Sequence, residues 1–346
     1  MKKFLPYLIL ILLLAGAAAW LILHKTSGNA ELKEKAFAID NAKDVSKITL
    51  LDQDKKRIEL TKINGVWMVN GKFPARDELV QTLFEAITRV TVLCPVAKAA
   101  HDNVLRMMLE RNIKVDIYTD NKDQPVKTYY VGGPTPDNQG TYMLLEMDGK
   151  PMARPYITYM PNIRGYMTFR YNTNEEDWRS RELFNYNEPD IKALTVEYPG
   201  EEEKSFSLHR LVADSFELLP LEEEKHLKTE PYQQKYIRQY LGFYSSIFFE
   251  AFDNNFPKRD STMGTTPYCI ISVTGADNAV NKVKLFYMPI SRRSKMQFDE
   301  KGNEMTYDID HYHAAVNNDK DFVIVQYYVF GKLMRKYKDF FFKPQQ

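Results

Sequence analysis

The uncharged apolar run from Phe4 to Leu23 most constrains what this chain can fold into. About 20 such residues span a hydrocarbon core about 30 Å thick as a helix, which satisfies its own backbone polar groups in lipid. Lys2 and Lys3 precede the run, and positively charged flanks stay on the cytoplasmic side of the membrane. The sequence therefore predicts a single-pass anchor over residues 1–25 in a bacterial inner membrane, with the N-terminus cytoplasmic and the bulk of the chain periplasmic.

A cleaved signal peptide is the competing interpretation of the same segment. Ala15-Gly16-Ala17 and Ala17-Ala18-Ala19 both offer a cleavage site of the small-x-small type. However, the apolar run continues from Trp20 to Leu23, where a mature N-terminus would normally turn polar. An uncleaved anchor is favoured, while cleavage and a reversed orientation with a cytosolic domain stay open.

The charge balance and the cysteine content exclude several classes of protein. Lys and Arg number 47 against 46 for Asp and Glu, whereas nucleic-acid binding needs a net basic face. The only cysteines are Cys94 and Cys269, and a chain this long buries a core without disulfides. Two buried free thiols are favoured over a disulfide, and the pairing stays open. The 22 tyrosines and 20 phenylalanines are typical of sheet-rich folds.

After a polar linker over residues 26–36, the chain follows a pattern of strands and helices. The segment from Asp44 to Leu50 alternates like a half-buried strand, and Asn64-Gly65 is a hairpin turn signal. A helix is predicted to begin near Arg76. Its apolar face consists of Leu79, Leu83, Ile87 and Val90. A second helix is expected at 103–110, and further strands are expected at 57–60, 65–69, 113–118, 127–131 and 141–146.

The same order of elements returns in the second half of the chain. The segment from Asp190 to Val196 echoes Asp44 to Leu50 almost position for position. A helix is expected from Pro231 to Ile247, because proline suits a first helical turn. The other strands are expected at 205–208, 215–218, 268–273, 283–288, 304–308 and 322–330.

This repetition predicts an α+β fold, a tandem duplicated module behind one N-terminal transmembrane helix. Each module is expected to be mainly antiparallel sheet with helices on one side. The predicted first module covers residues 37–171 and the second covers 190–346. Residues 172–189 are expected to form a polar connector between them.

Short motifs spread along the chain carry a resemblance to a known family. They are Trp67 with Asp77, Tyr129-Tyr130-Val131-Gly132-Gly133, Gly140-Thr141-Tyr142-Met143, Trp178-Arg179-Ser180-Arg181-Glu182-Leu183-Phe184, Tyr307-Asp308-Ile309-Asp310 and Tyr327-Tyr328-Val329-Phe330-Gly331-Lys332. They resemble the DUF4340 family of bacterial membrane-anchored proteins, in its Bacteroidota form, over most of the chain from about Phe37. The resemblance implies an N-terminal anchor and an extracytoplasmic domain, and it assigns no activity and no catalytic residues. Because some members are associated with a gliding-type ABC export system, it also implies an accessory role in the envelope.

The densest cluster of metal-ligand residue types is Asp308, Asp310, His311 and His313. On a strand, Asp308 and Asp310 share one face while His311 and His313 share the other. One metal would then meet only one pair unless a bulge intervened, and zinc sites need three or four converging ligands. Polar residues at a strand end are therefore favoured over a metal site, and no cofactor is expected.

The sequence contains no recognisable catalytic constellation, so the chain is not expected to be an enzyme. It has no Gly-x-Ser-x-Gly elbow for a serine nucleophile. Neither a helix start nor a Lys-Ser/Thr pair follows Gly132-Gly133-Pro134, so a tight turn between strands is favoured over a phosphate cradle.

Trp178, Arg179 and Arg181 stand at the predicted junction of the modules. Their types favour a structural role there over partner binding. The sequence as a whole predicts a membrane-anchored extracytoplasmic scaffold or interaction protein, accessory to an envelope ABC-type transport or gliding-type export complex. Its partner would be an envelope protein, contacted at the sheet edges and the groove between the modules, through strand addition or helix docking. The alternative is a periplasmic ligand-binding module with a site between the two repeats.

Overall fold

The computed structural model describes residues 33–120, 122–211, 215–222, 232, 234–292 and 294–341. The predicted membrane segment, residues 4–23, and most of the predicted linker lie outside these ranges. Within them, no helix is both long enough and apolar enough to cross a membrane.

The chain divides into two compact units, and the boundary falls between Ser180 and Arg181. Each unit is built on one large antiparallel sheet accompanied by short helices, so the predicted α+β class is confirmed. The boundary lies inside the segment 172–189 that the sequence indicates as a connector. The described residues up to 180 belong to unit 1, and the described residues that follow belong to unit 2.

Unit 1 carries a ten-stranded antiparallel sheet. Its strands are β1 (Val45–Asp52), β2 (Arg57–Ile63), β3 (Val66–Val69), β4 (Phe73–Pro74), β5 (Thr91–Pro95), β6 (Ile113–Thr119), β7 (Lys127–Pro134), β8 (Thr141–Met147), β9 (Lys150–Pro151) and β10 (Tyr156–Tyr159). Helices α1 (Asp77–Arg89), α2 (His101–Glu110) and α3 (Glu175–Trp178) accompany it. The strand order is β4-β3-β2-β1-β6-β7-β8-β10-β5, and β9 pairs with β8.

The helices of unit 1 pack on both faces of its sheet. Leu83 and Ile87 of α1 belong to the main core cluster together with Tyr129 of β7. Met108 of α2 belongs to a second cluster, which includes Tyr130 of the same strand. Because successive residues of a strand point to opposite faces, α1 and α2 lie on opposite sides of the sheet. The expectation of helices on one side is therefore wrong for unit 1.

The described residues of unit 2 form an eight-stranded antiparallel sheet and a separate two-stranded one. Its strands are β11 (Glu182–Phe184), β12 (Ile191–Glu197), β13 (Phe206–Arg210), β14 (Phe216–Pro220), β15 (Ile247–Phe248), β16 (Ala251–Phe252), β17 (Cys269–Gly275), β18 (Val280–Pro289), β19 (Tyr307–Val316) and β20 (Asp321–Gln326). Helices α4 (Gln234–Leu241), α5 (Arg259–Met263) and α6 (Tyr327–Phe330) accompany them. The large sheet has the order β14-β13-β12-β17-β18-β19-β20-β16, and β11 pairs with β15.

The helices of unit 2 also pack on both faces of the large sheet. Ile237 of α4 belongs to the main core cluster together with Leu285 of β18. Met263 of α5 packs against a second cluster, which includes the next strand residue, Phe286. Alternation along β18 therefore places α4 and α5 on opposite sides, and the one-sided arrangement is wrong here as well.

Eight strands follow one order in both sheets. The series β3-β2-β1-β6-β7-β8-β10-β5 of unit 1 matches β14-β13-β12-β17-β18-β19-β20-β16 of unit 2. The irregularities also match. In unit 1, β1 is bulged at Ser46, and the register of β7 against β8 shifts just before Pro134. In unit 2, β12 is bulged at Lys192, and the register of β18 against β19 shifts just before Pro289. Bulges are positional features of a fold, so the two units share a detailed chain path.

The structure corrects the two last strands that the sequence predicts. The strand expected at 304–308 begins at Tyr307 and continues to Val316. The strand expected at 322–330 ends at Gln326, and Tyr327–Phe330 forms helix α6. A short apolar run fits a buried strand and a helical turn equally well, so periodicity alone does not distinguish them.

Candidate functional site

Five tyrosines of unit 2 form a continuous surface, which we call the tyrosine surface. They are Tyr268, Tyr287, Tyr307, Tyr312 and Tyr327. The rings of Tyr268 and Tyr312 stack with their centroids 5.6 Å apart, and the centroid of Tyr287 lies 4.8 Å from that of Tyr307. The ring centroid of Tyr287 also lies 4.7 Å from that of Tyr268, and the ring centroid of Tyr312 lies 6.5 Å from that of Tyr327. Ring pairs of this kind contribute about 0.5–1.5 kcal/mol each beyond area burial, so the rings hold one another in place.

The topology of the sheet brings these rings together. In an antiparallel sheet, the starts of β17 and β19 and the ends of β18 and β20 meet at one end of the sheet. Tyr268 directly precedes β17, Tyr307 begins β19, and Tyr327 directly follows β20. The tyrosine surface is therefore a property of the strand order and not of one local segment.

Two backbone features position individual rings. The register of β18 against β19 shifts between Tyr287 and Pro289, so that Tyr287 pairs with Tyr312 while its ring also reaches Tyr307. Gly331 permits a close approach to Tyr327, because a Cβ at position 331 would lie 2.8 Å from the Tyr327 carbonyl oxygen. Two motifs that carry the family resemblance, residues 307–310 and 327–332, thus meet at this surface.

Much of the tyrosine surface is exposed. Tyr287, Tyr307 and Tyr327 are 44%, 46% and 51% exposed, and Tyr328, the sequence neighbour of Tyr327, is 91% exposed. Single exposed apolar residues are common on proteins, whereas contiguous exposed patches mark sites of interaction. The exposed rings therefore make this surface the candidate functional site.

The electrostatics of the tyrosine surface keep it neutral. Burial raises the pKa of Tyr268 to about 12, and burial also raises the pKa values of Tyr287 and Tyr312. The ion pair of Glu201 with Lys204 lies close enough to influence the pKa of Tyr287. The site thus combines uncharged rings and hydroxyl groups at its centre with ionic groups beside it.

The weak metal candidates on β19 do not converge on one point. The bulge folds Asp308 back onto its own strand, where its Oδ1 accepts hydrogen bonds from the backbone N–H groups of Asp310 and His311. Asp308 therefore lies against His311, so the predicted division into two faces is wrong here. The Asp310 carboxylate instead lies 3.9 Å from Lys295 Nζ. In the described ranges, no group of three or more His, Cys, Asp or Glu side chains is placed to hold a metal ion.

His311 lies between two carboxylates. Its Nδ1 is 3.2 Å from Asp308 Oδ1, and its Nε2 is 3.2 Å from Glu250 Oε2. Burial acts to raise the pKa of Asp308, but hydrogen bonds from Ser294, the Asp310 N–H and His311 outweigh it and lower that pKa. Both imidazole nitrogens face a carboxylate. His311 therefore links the bulge of β19 to the loop between β15 and β16, which carries Glu250.

His313 has a different environment, although it lies only two residues further along β19. Its ring lies between Phe256 and Phe322, with centroids 4.5 and 4.8 Å away, and its side chain is 1% exposed. Its Nε2 is 3.2 Å from Asp253 Oδ2. Burial lowers the pKa of His313 although Asp253 acts to raise it. His313 is therefore a core residue on the face opposite to the main core.

Replacement of His313 by phenylalanine is expected to remove a pH dependence of stability. The pKa of His313 is lower in the folded chain, so the unfolded chain takes up the proton first as the pH falls below about 6.5. Stability therefore falls with pH below that value, by at most about 1.4 kcal/mol per pH unit for one proton. Denaturant unfolding at several pH values below about 6.5 should show that the free energy of unfolding falls less per pH unit in His313→Phe than in the parent. An equal pH dependence of stability in the two proteins would contradict a lowered pKa for His313 in the folded chain.

Trp178 and Arg179, which the sequence places at the junction, pack within unit 1. Trp178 is 1% exposed, and its Nε1 donates to the carbonyl oxygen of Asn172 at 2.7 Å. The Arg179 guanidinium lies 3.8 Å from the ring centroid of Phe73 at the sheet edge. The segment expected as a connector therefore supplies part of the packing of unit 1.

Arg181 packs within unit 2. Its Nη1 donates to the backbone carbonyl of Glu250, and its own carbonyl accepts from the N–H of Phe249 at 3.0 Å. Glu250 is the residue whose carboxylate faces His311. Arg181 thus supports the loop that holds the bulge of β19.

The outer edges of the sheet in unit 1 are partly covered by the chain itself. The N–H of Ser180 donates to the carbonyl of Pro74 on β4 at 2.8 Å. On the other edge, the N–H of Val92 on β5 donates to the carbonyl of Glu34 at 2.8 Å. Occupied backbone groups make an edge a poor template for another strand.

The outer edges of the large sheet in unit 2 are also protected. Along β14, the N–H of Phe216 donates to the Gln234 side chain at 2.9 Å, and its carbonyl accepts from the Tyr232 hydroxyl at 2.9 Å. At the other edge, β16 is only two residues long. Strand addition, one of the two modes of contact expected from the sequence, is therefore disfavoured at the outer edges of the two large sheets.

Sequence reasoning did not identify the tyrosine surface. Its five residues are spread from position 268 to position 327: one precedes β17, one lies on β18, two lie on β19 and one begins helix α6. The available signals were the high tyrosine content and the two motifs beginning at Tyr307 and Tyr327. Neither signal shows that the rings meet until the strand order is known.

Comparison of the chain with profiles of protein families, with curated proteins and with solved structures found no match in any of the three. The resemblance to the DUF4340 family therefore stays a prediction from the sequence.

Proposed function

We propose that this chain is a membrane-tethered extracytoplasmic interaction protein that contacts its partner through the tyrosine surface. The observation that supports this most strongly is the contiguous patch of half-exposed rings in unit 2. Exposed aromatic area is unfavourable in water, and a partner that covers it gains that free energy on binding. Tyrosine is also enriched among the residues that dominate binding energies.

The chemistry of the surface favours a folded protein as the partner. Neutral rings with hydroxyl groups at the centre and the Glu201–Lys204 pair beside them resemble the apolar core and polar rim of a protein interface. The rings already pack on one another, so little side-chain freedom is lost when a partner binds.

The apolar run over residues 4–23 supports the tethering part of the proposal. A tether keeps the tyrosine surface near the membrane and raises its effective concentration for an envelope protein. We propose that this partner belongs to an envelope ABC-type transport or gliding-type export complex, in line with the DUF4340 resemblance. The chain is proposed to act without catalysis, as a scaffold or accessory.

We also propose that the two units are tandem copies of one module. The shared order of eight strands and the bulges at Ser46 and Lys192 support this origin. The copies differ at the matching end of the sheet, where unit 2 presents the tyrosine surface and unit 1 presents an open cleft. Duplication followed by such divergence would leave one copy for partner binding and the other for a separate task.

Site-specific photo-cross-linking in intact cells tests the proposed contact. A photoreactive residue replaces Tyr328, and in a matched protein it replaces Phe169 of unit 1, which is 61% exposed. We expect one discrete protein adduct at position 328, at least about tenfold more abundant than any adduct at 169, because a hot-spot contact contributes about 2 kcal/mol or more. Adducts of equal pattern and abundance at both positions would contradict the proposal.

A further inference from the structure

A cavity of about 690 Å³ opens at the end of the unit 1 sheet where β7 begins and β8 ends. Its wall comes from the segment before β1, the start of β7 and the β8–β9 hairpin. The apolar part of this wall consists of Ala36, Pro125, Val126, Leu145, Met147 and Met152. Pockets for small organic ligands have volumes of about 300–1,000 Å³. We call this site the Lys127 pocket, after a lysine of the wall.

Strand pairing places Lys127 on the apolar side of the sheet. The register of β7 against β8 pairs Tyr129 with Leu145, and both belong to the main core cluster. Two residues back along β7 and two residues on along β8, Lys127 therefore lies opposite Met147. Residues two apart on a strand share a face, so Lys127 and Met147 lie on the face of the main core.

Strand β7 presents a different surface on its other face. The tight turn expected at Gly132-Gly133 falls instead at residues 135–140, so both glycines lie in the strand. A Cβ at Gly132 would lie 2.9 Å from Met108 Cγ of α2, so glycine lets the helix pack closely there. Helix α2 thus covers one face of β7, and the Lys127 pocket lies on the other.

The Lys127 ammonium is half-buried and forms no ion pair with a described residue. Its Nζ donates to the carbonyl oxygen of Ala36 at 2.6 Å. Burial lowers the pKa of Lys127, although the charge of the more distant Asp40 acts to raise it. A buried charge without a close counter-ion is costly, and an anionic ligand would offset that cost. The ammonium therefore indicates the charge of a ligand independently of the cavity.

The carboxylates of the wall do not neutralise Lys127. Glu146 lies on the opposite face of β8, where its Oε2 accepts from the Tyr130 hydroxyl at 2.8 Å. Asp148 lies in the exposed β8–β9 turn. Lys33 adds a second cation to the wall. The pocket thus combines apolar side chains with a positive charge that an anion can meet.

We propose that the Lys127 pocket binds a fatty acid, whose carboxylate contacts the Lys127 ammonium and whose acyl chain lies against the apolar wall. An ammonium has three donors, of which the Ala36 carbonyl takes one, so two remain for a carboxylate. Charge-assisted hydrogen bonds are roughly twice as strong as neutral ones. The flexible side chains of Met147 and Met152 can adapt to an acyl chain. This gives unit 1 a binding role of its own, beyond the contact proposed for unit 2.

The proposed tether keeps the Lys127 pocket close to a source of acyl chains. Residues 24–32 separate the predicted membrane segment from Lys33 of the wall. A chain advances by at most about 3.6 Å per residue, so Lys33 lies within about 36 Å of the end of that segment. The supply of fatty acid from the membrane rests on the proposed function, whereas the chemistry of the pocket does not.

Methyl NMR of the full chain in detergent, with isotope-labelled methionine methyl groups, tests the proposal with octanoate as the probe. The matched probe is octylammonium, which has the same chain length and the opposite charge. We expect octanoate to shift the signals of Met147 and Met152 saturably while the methionines of unit 2 stay unchanged. Octylammonium should bind at least about tenfold more weakly. No saturable shift with octanoate up to about 10 mM, or equal binding of octylammonium, would overturn the proposal.

Two substitutions locate the binding in this pocket. Lys127→Gln removes the ammonium, and Met147→Glu adds a negative charge at a side chain that is 53% exposed, without disturbing the core. Each should weaken octanoate binding at least about tenfold, as read from Met152. The control Lys72→Gln, at an exposed lysine of the β3–β4 turn, should leave it unchanged. If Met147→Glu binds octanoate like the parent chain, the pocket is not the site, and the cross-link at position 328 is unaffected by that result.

Discussion

Cys94 is expected to react completely with a membrane-impermeant maleimide in cells whose outer envelope is permeable and whose inner membrane is sealed. Both thiols are free, but Cys94 is exposed on β5, so the expectation of two buried thiols is wrong for Cys94. Cys269 is buried, and burial raises the pKa of its thiol to about 12. Only an accessible thiolate reacts, so Cys269 should stay unlabelled at neutral pH. One thiol per chain should therefore report on which side of the inner membrane unit 1 lies.

Matched variants make this labelling specific. Cys94→Ser should abolish the signal, and Cys269→Ser should leave it unchanged. If the chain is tethered, the labelled protein should sediment with the membranes, whereas a cleaved signal peptide would leave it in the soluble periplasmic fraction. Labelling of Cys94 only after lysis of the inner membrane would show that the domain is cytosolic, and the proposed location would then be wrong.

Trp178→Ala is expected to destabilise unit 1 by about 3–5 kcal/mol, the usual cost of truncating a fully buried aromatic residue. The indole is 1% exposed, and its Nε1 donates to the carbonyl of Asn172. The Trp178 carbonyl also accepts from the N–H of Arg76 at 2.7 Å, directly before α1. The substitution therefore opens a cavity and loosens the start of the main helix of this unit.

Hydrogen exchange of the full chain in detergent measures this effect unit by unit. Peptides of unit 1 should exchange at least about a hundredfold faster in Trp178→Ala, while peptides of unit 2 should be unchanged. The matched control is Trp67→Ala, because Trp67 is only partly buried, with its ring 5.3 Å from that of Phe84. An effect of Trp178→Ala no larger than that of Trp67→Ala would contradict the packing of residues 172–180 within unit 1.

Local periodicity was enough to predict the elements whose burial follows one simple repeat. The alternation from Asp44 to Leu50 gives β1, in which Ile48 and Leu50 are fully buried. The helical spacing after Arg76 gives α1, and Leu83 and Ile87 are fully buried there. The α+β class follows from such segments, because each one buries a single face.

Features that depend on contacts distant in sequence could not be predicted this way. The position of α2 on the second face of the sheet depends on Gly132, whose missing side chain admits Met108. The bulge that turns Asp308 toward His311 breaks the two-residue repeat from which their faces were inferred. Likewise, the tyrosine surface exists only because four strand ends meet, which no local pattern encodes.

The measurement that tests the central claim most directly is the yield of the cross-linked adduct at position 328 when a ring of the tyrosine surface is removed. Tyr307→Ser removes a ring that is 46% exposed and stacks on Tyr287, and Tyr166→Ser removes one that is 37% exposed in unit 1. If the tyrosine surface is the contact, Tyr307→Ser should lower the yield at least about tenfold, and Tyr166→Ser should not change it. An adduct that survives Tyr307→Ser at full yield would show that the tyrosine surface is not where the partner binds.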